Sequence, residues 1–162
     1  MKNIVMLRWF VIFLSSLVSM GVIQGKGLFA ALWIADLSGL SFITMILYLI
    51  LTGFVGVLTH RLTNNEPGSK IYNENVIYMQ PCWYGSELLM ALGMMGTLIG
   101  FTMMLGPALV GLDPSNIVTA KSAIVNMAGG MSTAVLTTLV GLITSQLVKL
   151  QLINLDTSLP EK

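Results

Sequence analysis

Two long apolar stretches of this 162-residue chain carry hydroxyl and small side chains at helical spacing. The first reads Ala91-Leu92-Gly93-Met94-Met95-Gly96-Thr97-Leu98-Ile99-Gly100-Phe101-Thr102, and the second runs from Gly129-Gly130-Met131-Ser132-Thr133-Ala134 through Thr137-Thr138 and Gly141 to Thr144-Ser145. On a helix, Gly93, Gly96, Thr97 and Gly100 share one side of the first stretch, and Gly130, Ala134, Thr138, Gly141 and Ser145 share one side of the second. A hydroxyl in apolar surroundings can bond back to the carbonyl one turn earlier, bridge two helices, or donate to a carboxylate or a water without carrying charge. Small residues let two helix backbones approach closely, and packing of this kind accounts for Gly93, Gly96, Gly100, Ala134 and Gly141. It accounts less well for the second stretch, where Ser132, Thr133, Thr137, Thr138, Thr144 and Ser145 cover more than one face and suggest a second interface or a wet path.

Ionisable chemistry is missing from these stretches. The acids are Asp36, Glu66, Glu74, Glu87, Asp113, Asp156 and Glu161, and each is read as belonging to a loop, a tail or the first turn of a helix. Asp36 and Glu87 come nearest to the apolar runs and are read as charging helix starts. One cysteine, Cys82, excludes an internal disulfide, and with one histidine, His60, there is no ligand cluster for a metal. Both are read as interfacial polar residues at the edge of a loop, and no metal or other cofactor is expected. Met90, Met94, Met95, Met103 and Met104 are read as apolar filler.

The elements that would position the hydroxyls follow from composition. At 55% hydrophobic and 9% charged, with a mean hydropathy of +0.84, the chain carries too little charge to cover a water-soluble sphere, which excludes a soluble globular enzyme. A net charge of +1, with no basic cluster among aromatics, excludes a nucleic-acid groove. The expected fold is an all-α integral membrane protein with four transmembrane helices over about 4–23, 28–59, 87–111 and 117–152, each long enough to cross a hydrocarbon core of about 30 Å. Lys2 and Arg8 precede the first apolar run as in a signal peptide, but no small-residue cleavage pattern follows at Gly25 to Phe29, so the run is read as a span.

Residues 1–59 then form an outer, lipid-facing hairpin rich in Phe, Leu, Ile and Trp. Residues 87–162 form an inner hairpin whose two long helices hold the hydroxyls, with a short tail. Tight turns are expected at Gly25-Lys26-Gly27 and at Gly111 to Asn116, where Ser115 or Asn116 can cap the next helix. Between the hairpins, 60–86 reads as a surface loop with interfacial aromatics. Both termini and this loop share one side of the membrane with Lys2, Arg8, Arg61, Lys70, Lys149 and Lys162, against Lys26 and Lys121 on the other. The positive-inside rule places that side in the cytoplasm.

The pair of stretches Gly93-Met94-Met95-Gly96-Thr97-Leu98-Ile99-Gly100 and Met131 to Leu142 resembles the pore helices of the MotA/TolQ/ExbB proton-channel subunits, over about sixty residues. The resemblance implies a bacterial cytoplasmic (inner) membrane protein, with five copies of the chain around two single-span partner helices of the MotB/TolR/ExbD kind. The partner's aspartate carries the proton, and ion flow drives its movement. It also implies that Thr97 and Thr138 match the two threonines beside that aspartate, with Thr133 and Thr137 as further wall residues. A chain without a buried carboxylate cannot relay protons through its own acids, which suits a wall whose titrating group comes from elsewhere.

Three departures stand out. The acid that ExbB-like proteins carry one turn before the second pore threonine is here Thr133, the prolines of the MotA pore helices have no counterpart near Met90 or Gln151, and the large cytoplasmic domain of MotA is reduced to 60–86. A stator that grips a rotor through that domain is therefore not expected. A holin-like or structural membrane protein, whose small-residue faces serve only self-association, is the alternative. A four-span proton-coupled exporter would need a membrane-buried carboxylate, which this chain does not offer.

Overall fold

A computed structural model describes residues 2–25, 39–65, 69–110 and 117–159, and every regular element among them is a helix. In chain order these are α1 (Lys2–Gly25), α2 (Leu40–Asn64), α3 (Lys70–Ile77), α4 (Met79–Val110) and α5 (Ile117–Asp156). Local chemistry sets the ends. Gly39 precedes α2 with φ at +66°, a left-handed conformation that a side chain would strain, and its carbonyl accepts from Phe42 and Ile43. Asn65 closes α2 by donating both its backbone N–H and its side-chain amide to the Arg61 carbonyl, at 3.1 and 2.8 Å. Ser69 caps α3, accepting from the Tyr72 N–H at 3.2 Å. Pro81 lies in the first turn of α4, where its missing N–H would have no partner inside the helix.

Three helices are long and apolar enough to cross a membrane, over Leu40–Asn64, Tyr72–Gly106 and Ala134–Asp156, and Ile4–Val18 is a shorter apolar helix. That is one candidate span fewer than the four expected among the described residues. With 32 and 40 residues, α4 and α5 extend to about 48 and 60 Å at ~1.5 Å per residue, so both outrun a hydrocarbon core of about 30 Å. Gly25 ends α1, and the rest of the turn expected at 25–27 and all of that at 111–116 lie outside the described residues, as do Asp36, Glu66, Asp113 and Glu161.

Contacts fix the register. Trp9 lies against Gly56 while Tyr48 donates its hydroxyl to Ser16 Oγ at 2.9 Å, so α1 and α2 run antiparallel. Asn154 on α5 donates to the Val5 carbonyl at 3.1 Å, and Leu51 on α2 packs over Gly85 on α4. One core results, at the end where α1 begins and α5 finishes. Tyr48, Val55, Leu58 and Leu62 meet Tyr72, Met79, Cys82 and Leu89 from the middle of the chain and Val148, Leu152 and Leu155 from its end.

The stretch expected as a loop over 60–86 is therefore largely helical. It supplies the end of α2, all of α3 and the first turns of α4, and it buries Tyr72, Met79, Cys82 and Ser86. Tyr72, Met79 and Cys82 join the core, whereas Ile77, Tyr78 and Tyr84 remain exposed. Cys82 is 1% exposed and donates its thiol to the Tyr78 carbonyl, so it is a core residue, whereas His60 is exposed. Glu87 is exposed within α4, and not in its first turn, because that helix begins at Met79.

The expectation of a purely lipid-facing first hairpin also changes. Ser41, Thr44, Tyr48, Thr52 and Thr59 recur every three, four or seven residues and are all buried, while Ile43, Ile46, Ile50, Phe54 and Val57 face outward. The second helix thus has an exposed apolar side and a buried hydroxyl side. Thr44 and Thr59 return their hydroxyl protons to the carbonyls of Leu40 and Val55, both at 2.8 Å, which lets a threonine sit in an apolar core at little cost.

Four side chains in this core keep polar atoms without a partner: Trp9 Nε1, Thr52 Oγ1, Ser145 Oγ and both amide atoms of Gln151. Gln151 is fully buried beside Val148, Leu152 and Leu155. An amide buried this way costs about 1–3 kcal/mol relative to an apolar group of the same shape. Gln151→Leu is therefore expected to leave the helical content unchanged and to stabilise the protein by about that amount, read as a higher midpoint in thermal unfolding; a lower midpoint would mean that the amide is satisfied in the membrane.

Candidate functional site

Thr97, Thr137 and Thr138 sit on or beside the seam between α4 and α5, the most extensive helix contact among the described residues. The seam has almost no side chains in it. A methyl group built on Gly141 would lie 2.7 Å from both Gly93 Cα and the Leu89 carbonyl oxygen, and one built on Gly93 would lie 3.1 Å from Gly141 Cα and 3.2 Å from the Thr137 carbonyl oxygen. One turn further along α4, Gly96 receives the Thr137 side chain, and Gly100 faces Ala134 at 3.0 Å. Numbers rising along α4 as they fall along α5 make the hairpin antiparallel. Backbone rests on backbone at Gly93 and Gly141, and the gap widens by one small side chain at a time toward Gly100.

This close approach determines where the threonines go. Thr138 is half-buried, and its hydroxyl has two carbonyls in reach, Ala134 on its own helix at 3.1 Å and Gly93 across the seam at 3.2 Å. Gly93 O is also the helical acceptor for the N–H of Thr97. Thr97 and Thr138 therefore meet at one carbonyl, at one level of the hairpin. The Thr97 hydroxyl, partly exposed, bonds back to the Met94 carbonyl, and Thr102 does the same to Leu98 at 2.8 Å. A hydroxyl has one proton to give, so these groups reach their ground state with lone pairs free to accept.

Thr137 is placed differently. It is 1% exposed, packed into the notch left by Gly96, and bonded to the Ala134 carbonyl at 3.1 Å. Adjacent in sequence, Thr137 and Thr138 differ by about 100° around the helix, which puts one inside the seam and the other at its edge. The side chain of Thr133 lies outside the described residues. Further toward the core, Thr144 bonds to the carbonyls of Val140 and Gly141 at 2.7 and 3.2 Å.

Facing away from the seam, α4 exposes Met94, Met95, Leu98 and Phe101, and α5 exposes Val135, Leu139, Leu142 and Ile143. The two threonines lie at the margins of a continuous apolar surface that lipid or other chains must cover. Among the described residues no three His, Cys, Asp or Glu side chains come together as a metal site would require. The polar groups that the sequence reading passed over are those of α2, together with Trp9 and Gln151. Their signal was present: Ser41, Thr44, Tyr48, Thr52 and Thr59 repeat at helical spacing, and Gln151 interrupts an otherwise apolar face.

The seam makes a sharp prediction. Gly141→Ala forces a methyl group against backbone atoms that cannot swing aside, and it is expected to destabilise the hairpin by about 1–3 kcal/mol, as overpacking does. Gly53, with nothing within 4 Å of the same position, should accept Ala with a gain of about 0.5–1 kcal/mol from helix propensity. Thermal unfolding of the two variants in one detergent reads the difference directly.

Neither family models, nor curated proteins, nor solved structures give a match to this chain.

Proposed function

We propose that this chain is the wall of an ion path: a proton-channel subunit of an ion-driven, rotary-type motor in a bacterial cytoplasmic membrane, with both termini on the cytoplasmic side. Five copies surround two single-span partner helices, and the partner's aspartate is the titrating group. The observation that carries the reading is the meeting of Thr97 and Thr138 at the Gly93 carbonyl, on a hairpin whose apolar surface bears no acid at that level. Neutral hydroxyls at this level, Thr138 at Gly93 O and Thr97 at Met94 O, can accept from a protonated carboxyl and donate to an ionised one. They carry no charge that would trap the ion.

Three further features support it. The first is the length of α4 and α5, which lets the hairpin line a path through the whole bilayer and still join the core that it shares with α2. The second is the exposed apolar surface of the hairpin, which copies of the chain would cover. The third is the use already made of the small residues. Gly93, Gly96, Gly100, Ala134 and Gly141 are consumed inside the hairpin, which weighs against the holin-like alternative, where they would serve contacts between chains. Thr137, buried against Gly96, is a packing residue in this reading, and Thr97 and Thr138 form the path.

Thr138→Val tests it, in purified protein co-reconstituted with its partner. The wild-type chain is expected to purify as a pentamer. The variant should still assemble, because Gly93 O keeps the Thr97 N–H as its donor, while proton flux falls about tenfold or more, the effect of losing one hydrogen bond to a charged group worth ~1.5–3 kcal/mol. Thr138→Ser should retain flux. A stable monomer or dimer, or normal flux in Thr138→Val, would overturn the reading.

A further inference from the structure

On the outer side of α2, away from the α4–α5 seam, the last turns of that helix and the α3–α4 junction enclose a hollow of about 300 Å³ lined by Phe54, Val57, Leu58, Arg61, Asn75 and Tyr78. Its composition is divided along its length. Phe54, Val57 and Leu58 form an apolar floor about two to three turns inside the span Leu40–Asn64, and Arg61, Asn75 and Tyr78 form a polar rim toward its end. Phe54 and Tyr78 meet edge to face with ring centroids 6.4 Å apart, which ties the floor to the rim. Tyr78 is the residue between α3 and α4, and its ring stands over the floor from that junction.

The rim is set up for an anion. Arg61 is exposed and its guanidinium has no hydrogen bond or ion pair among the described residues. Lys70 and Glu74, both exposed on α3, offset one another, which leaves Arg61 as the charged residue of the lining. The floor, by contrast, is apolar and open: Phe54 and Val57 are 45% and 52% exposed. A cation at the end of an apolar span, above an open apolar groove, matches a molecule with a phosphate at one end and a hydrocarbon chain at the other. A free phosphate would satisfy the rim and leave the floor bare.

We infer that this hollow is a binding site for one anionic phospholipid of the bilayer, with its phosphate on the Arg61 guanidinium and the Asn75 and Tyr78 polar groups beside it, and with one acyl chain along Phe54, Val57 and Leu58. A planar guanidinium grips a phosphate by two parallel bonds, so lipids with net negative charge are preferred over zwitterionic ones, whose own cation competes for the phosphate. The site depends only on α2, α3 and Tyr78, and stands whether or not the chain lines an ion path.

Native mass spectrometry of the purified full chain, equilibrated with equal amounts of phosphatidylglycerol and phosphatidylcholine, tests the inference. One phosphatidylglycerol per chain is expected to persist, at about tenfold preference or more, the scale of a charge-assisted hydrogen bond. Arg61→Gln should abolish the preference, Val57→Trp should remove the bound lipid by filling the floor, Lys70→Gln should leave it in place, and excess inorganic phosphate should not displace it. Circular dichroism checks that each variant keeps its helices. Equal retention of the two lipids by the wild-type chain overturns the site irrespective of the variants. So does unchanged retention in folded Arg61→Gln, or displacement by inorganic phosphate, which would make the rim a site for the free ion.

Discussion

The contact between the backbones of Gly93 and Gly141 governs the rest of the molecule. Two helices can lie this close only where neither has a side chain, and the methyl group that either residue lacks would collide with main-chain atoms of the other helix. In a bilayer there is no hydrophobic drive between helices, so the close fit itself supplies the attraction, through many weak contacts at short range. The fit then decides which hydroxyl goes where. Thr138 is near enough to reach a carbonyl on α4, Thr137 is driven into the space that Gly96 vacates, and Thr97 is brought level with Thr138. A wider seam would separate all three.

Polar groups in this protein are managed in two ways. Most hydroxyls give their proton to a carbonyl of their own helix, as Thr44, Thr59, Thr102 and Thr144 do, and so cost little in apolar surroundings. A smaller set, Thr52, Ser145 and Gln151 with the Trp9 indole, is buried without such relief. These lie in the core shared by α1, α2, α4 and α5, beyond the glycine seam. The hairpin is joined to the rest of the chain there, and the core that joins it is not wholly apolar.

Much of the hairpin was legible in the sequence because its signal is periodic and chemically plain. Gly93, Gly96 and Gly100 at three- and four-residue spacing predict a face that another helix can touch, and Gly141 and Ala134 lie where an antiparallel partner needs them. Thr137 and Thr138 could not be told apart in this way, because which of two neighbouring hydroxyls enters the seam depends on a rotation that only the packed pair defines. The stripe on α2 was hidden by composition: Ser41, Thr44, Tyr48, Thr52 and Thr59 are outnumbered by Ile, Leu and Phe, and the helix reads as apolar unless its residues are sorted by face. Residues 60–86 misled for the opposite reason. Asn64-Asn65-Glu66-Pro67-Gly68-Ser69 marks a real break, but the mixed polarity after it belongs to an amphipathic α3 and the start of α4, where Tyr72, Met79 and Cys82 turn inward.

If the hydroxyls at the seam line a path whose titrating acid belongs to another chain, this chain by itself should not conduct. Proton flux into vesicles reconstituted with the pure chain, and with the chain plus a single-span helix bearing a membrane-embedded aspartate, measures that dependence. Flux indistinguishable from empty vesicles for the chain alone, and rising when the partner is added, is the result expected. Steady flux through the chain alone, unchanged when the partner is added, would contradict it.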